Sequence, residues 1–93
     1  MNNSEPVNLA PPIYVKALTL TENKDTDIIK HEILSGNIMI IRITPYASSD
    51  VEGLKEIIEE LCRFSSKYGG DVARLGDERI VMTPPTVKVW RRT

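Results

Sequence analysis

The stretch NIMIIRIT, residues 37–44, is the most informative piece of local sequence in the chain. Residues 38–41 and Ile43 are apolar almost without interruption, whereas a strand with one wet face alternates apolar and polar side chains. Pro45 ends the run, because proline cannot donate a hydrogen bond to a sheet. The pattern predicts a strand that is covered on both faces.

The sequence before this stretch predicts a strand and a short helix. IYVKALTL, residues 13–20, has the period-two pattern of a strand. Its two predicted faces carry Ile13, Val15 and Ala17 on one side and Tyr14, Lys16, Leu18 and Leu20 on the other. DTDIIKHEILSG, residues 25–36, has apolar side chains at helical spacing. Asp25 or Thr26 is predicted to cap this helix at its start, and Gly36 is predicted to end it.

A long helix is predicted over residues 50–68. Ser49 and Glu52 fit a capping box, in which each side chain satisfies a free amide at the start of the helix. Gly69 and Gly70 end the helix. The apolar residues recur every three or four positions, as one buried stripe requires: Val51, Leu54, Ile57, Ile58, Leu61, Phe64 and Tyr68.

The last part of the chain predicts three short strands. DVARL (71–75) and RIVMT (79–83) are joined by a turn at residues 76–78, where glycine can adopt a positive φ. The prolines at 84–85 break the pairing, and TVKVW (86–90) resumes a strand. The predicted order of elements is therefore β-α-β-α-β-β-β.

This order predicts an α/β fold, a two-layer sandwich with two helices on one face of a four- to five-stranded mixed sheet. Two helices are too few to cover both faces of such a sheet. Leaving an isoleucine-rich face in water is costly, because apolar burial is worth about 25 cal/mol per Å². We therefore expect a homodimer through the other face, with Met39, Ile41 and Ile43 at the interface.

Length and composition limit the possible functions. A chain of 93 residues forms one domain; residues 1–12, rich in proline, are predicted to be a disordered linker or tail, and residues 13–92 the core domain. A net charge of −1 argues against a nucleic-acid partner. The single cysteine cannot form an internal disulfide, which fits a cytoplasmic protein, and no apolar run is long enough to span a bilayer.

No set of residues predicts catalysis. His31 is the only histidine and is predicted to be a solvated or packing residue, and Cys62 on the long helix to be a buried, unreactive thiol. The adjacent carboxylates at 59–60 and 77–78 are predicted to be a wet helix face and a turn. No glycine-rich phosphate loop occurs. We predict no enzyme activity, no cofactor and no metal site.

The C-terminal third contains the residues best suited to binding a partner. Basic residues lie near apolar side chains there, an arrangement that suits a short peptide with hydrophobic and acidic residues. The residues predicted to bind it are Arg74, Arg79, Ile80, Met82 and Lys88. The alternative is that Ile80 and Met82 belong to the core and the arginines only solvate the surface.

The region from Ile13 to Trp90 resembles the SepF cell-division family, and is most similar to its archaeal branch. The resemblance is carried by GNIMIIRI (36–43), by the glycine turn YGGD (68–71) and by ARLGDERIVMTPPTVKV (73–89). These pieces occur in the family's order and spacing over nearly the whole folded region.

The resemblance implies a non-catalytic adaptor that dimerises and binds the C-terminal tail of the tubulin-like division protein FtsZ. It implies a cytoplasmic location at the division site, on the inner face of the membrane. Family members reach the membrane through an N-terminal amphipathic helix and a flexible linker; we expect MNNSEPVNLAPP (1–12) to be the linker and the anchor to be missing from this chain. The resemblance also places the tail-binding surface around the last hairpin.

Two points separate this chain from the bacterial pattern and from other folds. Bacterial members carry an Arg-apolar-Asp-Phe segment where this chain has Leu-Cys-Arg-Phe at 61–64, so we transfer dimerisation but not ring formation. A small dimeric ligand-sensing domain with an ACT-like plan remains an alternative function. An RNA-binding module is disfavoured, because the chain has few aromatic residues and no excess of positive charge.

Overall fold

The computed structural model describes residues 11–92, which form an α/β two-layer sandwich. Three helices and a four-stranded mixed sheet make up the layers. The elements are β1 (Val15–Thr19), α1 (Asp25–Leu34), β2 (Ile38–Arg42), α2 (Thr44–Ser49), α3 (Val51–Tyr68), β3 (Asp71–Leu75) and β4 (Arg79–Thr83). The predicted fold class is confirmed, with three helices instead of two.

The strands lie in the order β1-β2-β4-β3. β1 and β2 are parallel and joined through α1, whereas β4 is antiparallel to both of its neighbours, β2 and β3. A row of facing residues crosses the sheet, namely Ala17, Ile40, Val81 and Ala73. The next row, on the opposite face, is Leu18, Ile41, Ile80 and Arg74. The connection from β2 to β3 carries α2 and α3. β2 and β3 are parallel to each other, and β4 lies between them, so the three strands form a split β-α-β unit.

The core lies between the sheet and the helices. Its buried apolar side chains are Leu20, Ile29, Ile33, Met39, Ile41, Ile43, Leu54, Ile57, Leu61, Ile80 and Met82. The stripe predicted for the long helix is confirmed at its centre, because Leu54, Ile57 and Leu61 are all buried. At the ends of α3, Val51 and Tyr68 remain exposed. Within residues 11–92, none of the helices is long and apolar enough to cross a bilayer.

The starts of the helices differ from the predicted caps. The Asp50 carboxylate, not the Ser49 hydroxyl, accepts the hydrogen bond from the Gly53 amide at the start of α3. Ser49 belongs instead to α2, a short helix that the sequence did not predict and that starts with Pro45 in its first turn. Proline suits that position because its missing amide is not needed there.

Asp25 lies inside the first turn of α1 and does not cap it. Its carboxylate instead accepts hydrogen bonds from the backbone amides of Thr21 and Glu22 and from the Thr21 hydroxyl. Burial alone would raise the pKa of Asp25, but these hydrogen bonds outweigh it and the pKa is lowered. Asp25 therefore fixes the loop between β1 and α1.

The predicted fifth strand does not form within the described residues. Residues 84–87 make a turn in which the Val87 amide donates to the Pro84 carbonyl oxygen, and residues 88–92 form neither helix nor strand. The segment is instead fixed by side-chain bonds described below. Of the predicted tail, residues 1–10 lie outside the described part of the chain, and Pro11 and Pro12 are exposed.

Candidate partner-binding surfaces

One face of the sheet is turned away from the helices. This open face carries Val15, Ala17 and Thr19 of β1, Ile38, Ile40 and Arg42 of β2, Arg79 and Val81 of β4, and Asp71, Ala73 and Leu75 of β3. Val15 and Leu75, on the two outer strands, are 62% and 49% exposed. Ile38, Ile40 and Val81 are half-buried between them. The open face is thus largely apolar and is not covered by the helices.

The dimer-interface residues predicted from sequence are wrong, because they lie on the other side of β2. Met39, Ile41 and Ile43 are 2%, 0% and 5% exposed and pack into the core under the helices. Side chains alternate along a strand, so a shift by one residue exchanges the two faces. Ile38 and Ile40 are the apolar residues of this strand that face outward, together with Arg42.

A shallow depression of about 240 Å³ lies at one end of the open face. It is lined by Ala17, Leu18, Thr19, Ile40, Arg42 and Arg79. Arg42 and Arg79 are cross-strand neighbours, and like charges directly opposite each other destabilise a sheet. Arg42 also lies 3.8 Å from the Glu78 carboxylate and donates to the Thr44 hydroxyl. The depression therefore combines an apolar floor with two arginine side chains, whose positive charge favours the binding of an anionic group.

The residues predicted to bind a peptide do not form one site. Ile80 and Met82 are 3% and 0% exposed, so they belong to the core and that part of the prediction is wrong. Arg74 lies in the same row as Ile80, on the helix-facing side of the sheet, and points toward Asp77 at 4.0 Å. Arg79 lies on the open face and is exposed. The two arginines therefore lie on opposite faces.

Lys88, the fifth predicted residue, belongs to a different surface. Its ammonium group donates to the Gly69 carbonyl oxygen at 2.8 Å, just after the end of α3. It is part of residues 87–91, here called the strap, which contact the end of α3 and the first two residues of β3. Val87 accepts a hydrogen bond from the Thr83 hydroxyl where the strap begins.

Asp71, the first residue of β3, fixes the strap. Its carboxylate accepts hydrogen bonds from the Val89 amide at 2.9 Å and from two guanidinium nitrogens of Arg91 at 3.0 and 3.1 Å. Arg91 also donates to the Val72 carbonyl oxygen at 2.7 Å. Sequence reasoning noted the basic residues near the C-terminus but missed Asp71, because no local pattern pairs residues 20 positions apart.

These bonds shift the ionisation of both partners. The hydrogen bonds from Arg91, and then that from the Val89 amide, lower the pKa of Asp71 to about 2. The Asp71 carboxylate in turn raises the pKa of Arg91. Hydrogen bonds that an ionised carboxylate accepts favour its charged form. The pair is consequently ionised over the whole physiological pH range.

The two residues considered for chemistry are both exposed. Cys62 was predicted to be buried, but its thiol lies on the exposed side of α3 next to the stripe. It borders a second depression of about 240 Å³ with Ser65, Ser66, Gly70, Asp71 and Val72. His31 is exposed on α1. Within residues 11–92, no group of three or more His, Cys, Asp or Glu side chains is placed to hold a metal ion.

The fold and these surfaces define a small α/β domain whose sheet is covered by helices on one face and open on the other. The profile of the family described as "Cell division protein SepF" matches residues 15–89, which include every strand and helix found in residues 11–92. The chain belongs to the SepF family of cell-division proteins.

Individual relatives are archaeal. The cell division protein SepF of Haloferax volcanii is 32% identical over 69 residues, which cover 74% of this chain and 58% of the relative. The structure of a SepF-like protein from Pyrococcus furiosus superposes with a TM-score of 0.80 at 30% identity, covering 89% of this chain and all of that one. A SepF-like protein from Archaeoglobus fulgidus gives 0.80 at 28% identity, over 87% and 96%. The chain thus spans little more than half the length of the Haloferax relative.

Proposed function

We propose that this domain is a cell-division adaptor that binds the C-terminal tail of FtsZ and helps to tether FtsZ filaments to the membrane at the division site. Membership in the SepF family, over the whole described core, is the observation that carries the proposal. The proposal replaces the ACT-like ligand-sensing alternative, because the family match accounts for every element of the fold.

We further propose that two copies pair through the open face. Val15 and Leu75 expose large apolar side chains on its outer strands, and Ile38 and Val81 are only half-buried. Covering such a surface with a second copy is favourable, and a two-fold axis lets the same patch serve both subunits. Because one weak tail-binding site gains from duplication, a dimer would also hold a filament with many tails more firmly.

The tail-binding surface is proposed at the arginine end of the open face. Arg79 was predicted to bind the tail and is exposed, and its cross-strand neighbour Arg42 adds a second guanidinium. The depression beside them offers the apolar floor of Ala17 and Ile40. A peptide with one apolar and one acidic side chain would match both features. Interfaces commonly have an apolar core and a polar rim, so dimerisation through the apolar part can leave this end accessible.

The membrane connection in this proposal rests on the family pattern, in which an N-terminal amphipathic helix and a linker precede the core. Within the core itself, no helix is suited to crossing a bilayer. We place the anchor of the adaptor outside residues 11–92, either in this chain's own N-terminal region or in a partner.

Co-sedimentation with FtsZ filaments tests the function. FtsZ from the same organism is assembled with nucleotide and pelleted together with the domain, and a matched FtsZ without its C-terminal tail is the control. We expect the domain to pellet with the complete FtsZ and to stay in the supernatant with the truncated one. Equal pelleting with both would contradict tail binding, and no pelleting with either would contradict the adaptor function.

A further inference from the structure

The two outer edges of the sheet differ in how they are covered. On β1, the Tyr14 carbonyl oxygen and the Leu20 amide bond to β2, so the backbone groups of Val15, Ala17 and Thr19 point away from the sheet. Among residues 11–92, no segment pairs with that edge. An uncovered edge strand is a template on which another chain can pair.

The strap covers the beginning of the other edge, at Asp71 and Val72 of β3. The Val72 carbonyl oxygen accepts a hydrogen bond from the Arg91 guanidinium. The Val72 amide is satisfied by the Asp71 side chain. Arg91 thus occupies the Val72 carbonyl oxygen to which a further strand would have to bond, and Asp71 holds Arg91 there.

The two edges are complementary to each other across copies. β1 is parallel to β2, and β4 is antiparallel to both β2 and β3, so β1 and β3 run in the same direction. Both strands are five residues long. If the β3 edge were uncovered, the β1 edge of a second copy could extend the sheet in parallel. A contact between two different surfaces of the same protein repeats from copy to copy and adds subunits beyond a dimer.

We propose that the strap, held by the Arg91–Asp71 pair, blocks head-to-tail extension of the sheet by further copies of this chain through β3-to-β1 pairing. The strap is suited to be a removable cover. Its anchoring side chain is exposed, since the Arg91 side chain is 52% accessible, and Trp90 beside it is 84% exposed. Val87 and Val89 of the strap are only half-buried, so its attachment depends on hydrogen bonds, of which those at Asp71 are the most numerous.

The test reverses the charge of the anchor. Arg91→Glu places a carboxylate against Asp71, whereas Arg92→Glu makes the same charge change at the neighbouring exposed residue. Trp90 is the only tryptophan and lies on the strap, so its fluorescence anisotropy reports whether the strap is released. Sedimentation velocity over a concentration series gives the mass, and far-UV circular dichroism checks the fold.

We expect Arg91→Glu to lower the Trp90 anisotropy at low concentration and to form species at least about twofold heavier than wild type that grow with concentration. Arg92→Glu should sediment as wild type. Adding Val15→Pro, which removes an outward amide at the first residue of the other edge, should return Arg91→Glu to the wild-type mass. Arg91→Ala, which only removes the pair, should give the same assembly to a smaller extent.

Released straps without any gain in mass would overturn the proposal, and so would a mass gain that Arg92→Glu reproduces or that Val15→Pro leaves unchanged. An unchanged Trp90 anisotropy in Arg91→Glu would overturn the role of the Asp71 anchor. Every comparison is made with the wild-type mass, so these outcomes do not depend on whether wild type is a monomer or a dimer through the open face.

Discussion

Arg91 donates two parallel hydrogen bonds to Asp71, from Nη1 to Oδ2 at 3.0 Å and from Nη2 to Oδ1 at 3.1 Å. Bidentate pairs of this kind are stronger and more directional than single hydrogen bonds. The pair joins the C-terminal segment to the first residue of β3, across 20 positions of sequence. It determines where the strap lies, and it makes the stability of this region dependent on pH.

The first prediction concerns that pH dependence. The folded pKa of Asp71, about 2, is below its ordinary value of 3.8, so the stabilisation is fully present above about pH 4 and is lost as the pH falls toward 2. Asp71→Asn should therefore lower the thermal midpoint at pH 7 by roughly 5 °C. The difference from wild type should shrink between pH 4 and pH 2. Thermal unfolding followed by circular dichroism checks this.

Asp77→Asn is the control for this prediction. Asp77 is fully exposed in the turn, and its ion pair with Arg74 is long, at 4.0 Å, and therefore weak. It should leave the midpoint nearly unchanged. A difference between Asp71→Asn and wild type that persists at pH 2 would show that the ion pair is not its source.

The second prediction separates the two faces of β2 by stability. Ile41 is fully buried, so Ile41→Ala should cost about 2–5 kcal/mol of unfolding free energy through lost burial and a cavity. Ile40 is half-buried on the open face, so Ile40→Ala should cost only about 1 kcal/mol in the single chain. Urea unfolding at low protein concentration measures both. Equal losses would contradict the assignment of faces.

The third prediction concerns the two glycines after α3. Gly69 has φ of +80° at the end of the helix, where alanine costs about 1 kcal/mol. Gly70 approaches β4 so closely that a Cβ would overlap the Thr83 carbonyl oxygen, and the backbone must move. Gly70→Ala should thus be the more damaging, by more than about 2 kcal/mol. Chemical denaturation of both variants checks the order, and the reverse order would contradict the packing of this turn.

The fourth prediction places the FtsZ tail on one face of the sheet. Arg79→Glu, on the open face, should weaken binding of the tail by about tenfold or more, because it replaces a favourable charge with a repulsive one. Arg74→Glu makes the same charge change on the opposite face and should alter binding less than about twofold. Fluorescence polarisation with a labelled tail peptide measures both. If Arg74→Glu has the larger effect, the tail binds outside the open face.

Much of the fold could be predicted because several signals agree. The apolar stripe of α3, the glycines that end it and the continuous apolar run of β2 each indicate one type of element. α2 was missed because Pro45 was interpreted only as the end of a strand, although proline also suits the first turn of a helix. The cap of α3 was assigned to Ser49 instead of its neighbour Asp50 because serine and aspartate both cap helices well.

The surfaces were harder to predict because they depend on which side chains of a strand face outward and on contacts between residues that are distant in the sequence. Where every residue of a strand is apolar, as from Ile38 to Ile41, the sequence does not indicate which side chains face the helices. The prediction chose Met39 and Ile41 for the interface, and both are in the core. Arg91 lacked a predicted partner because its contact with Asp71 exists only once β3 and the strap are folded.

The most direct test of the adaptor function is a calorimetric titration of this domain with a synthetic C-terminal tail of FtsZ from the same organism, with a scrambled tail as control. We predict saturable binding of about one tail per subunit by the native sequence and no measurable heat from the scrambled one. Absence of binding by the native tail at several hundred micromolar, with the domain folded, would contradict the proposed function.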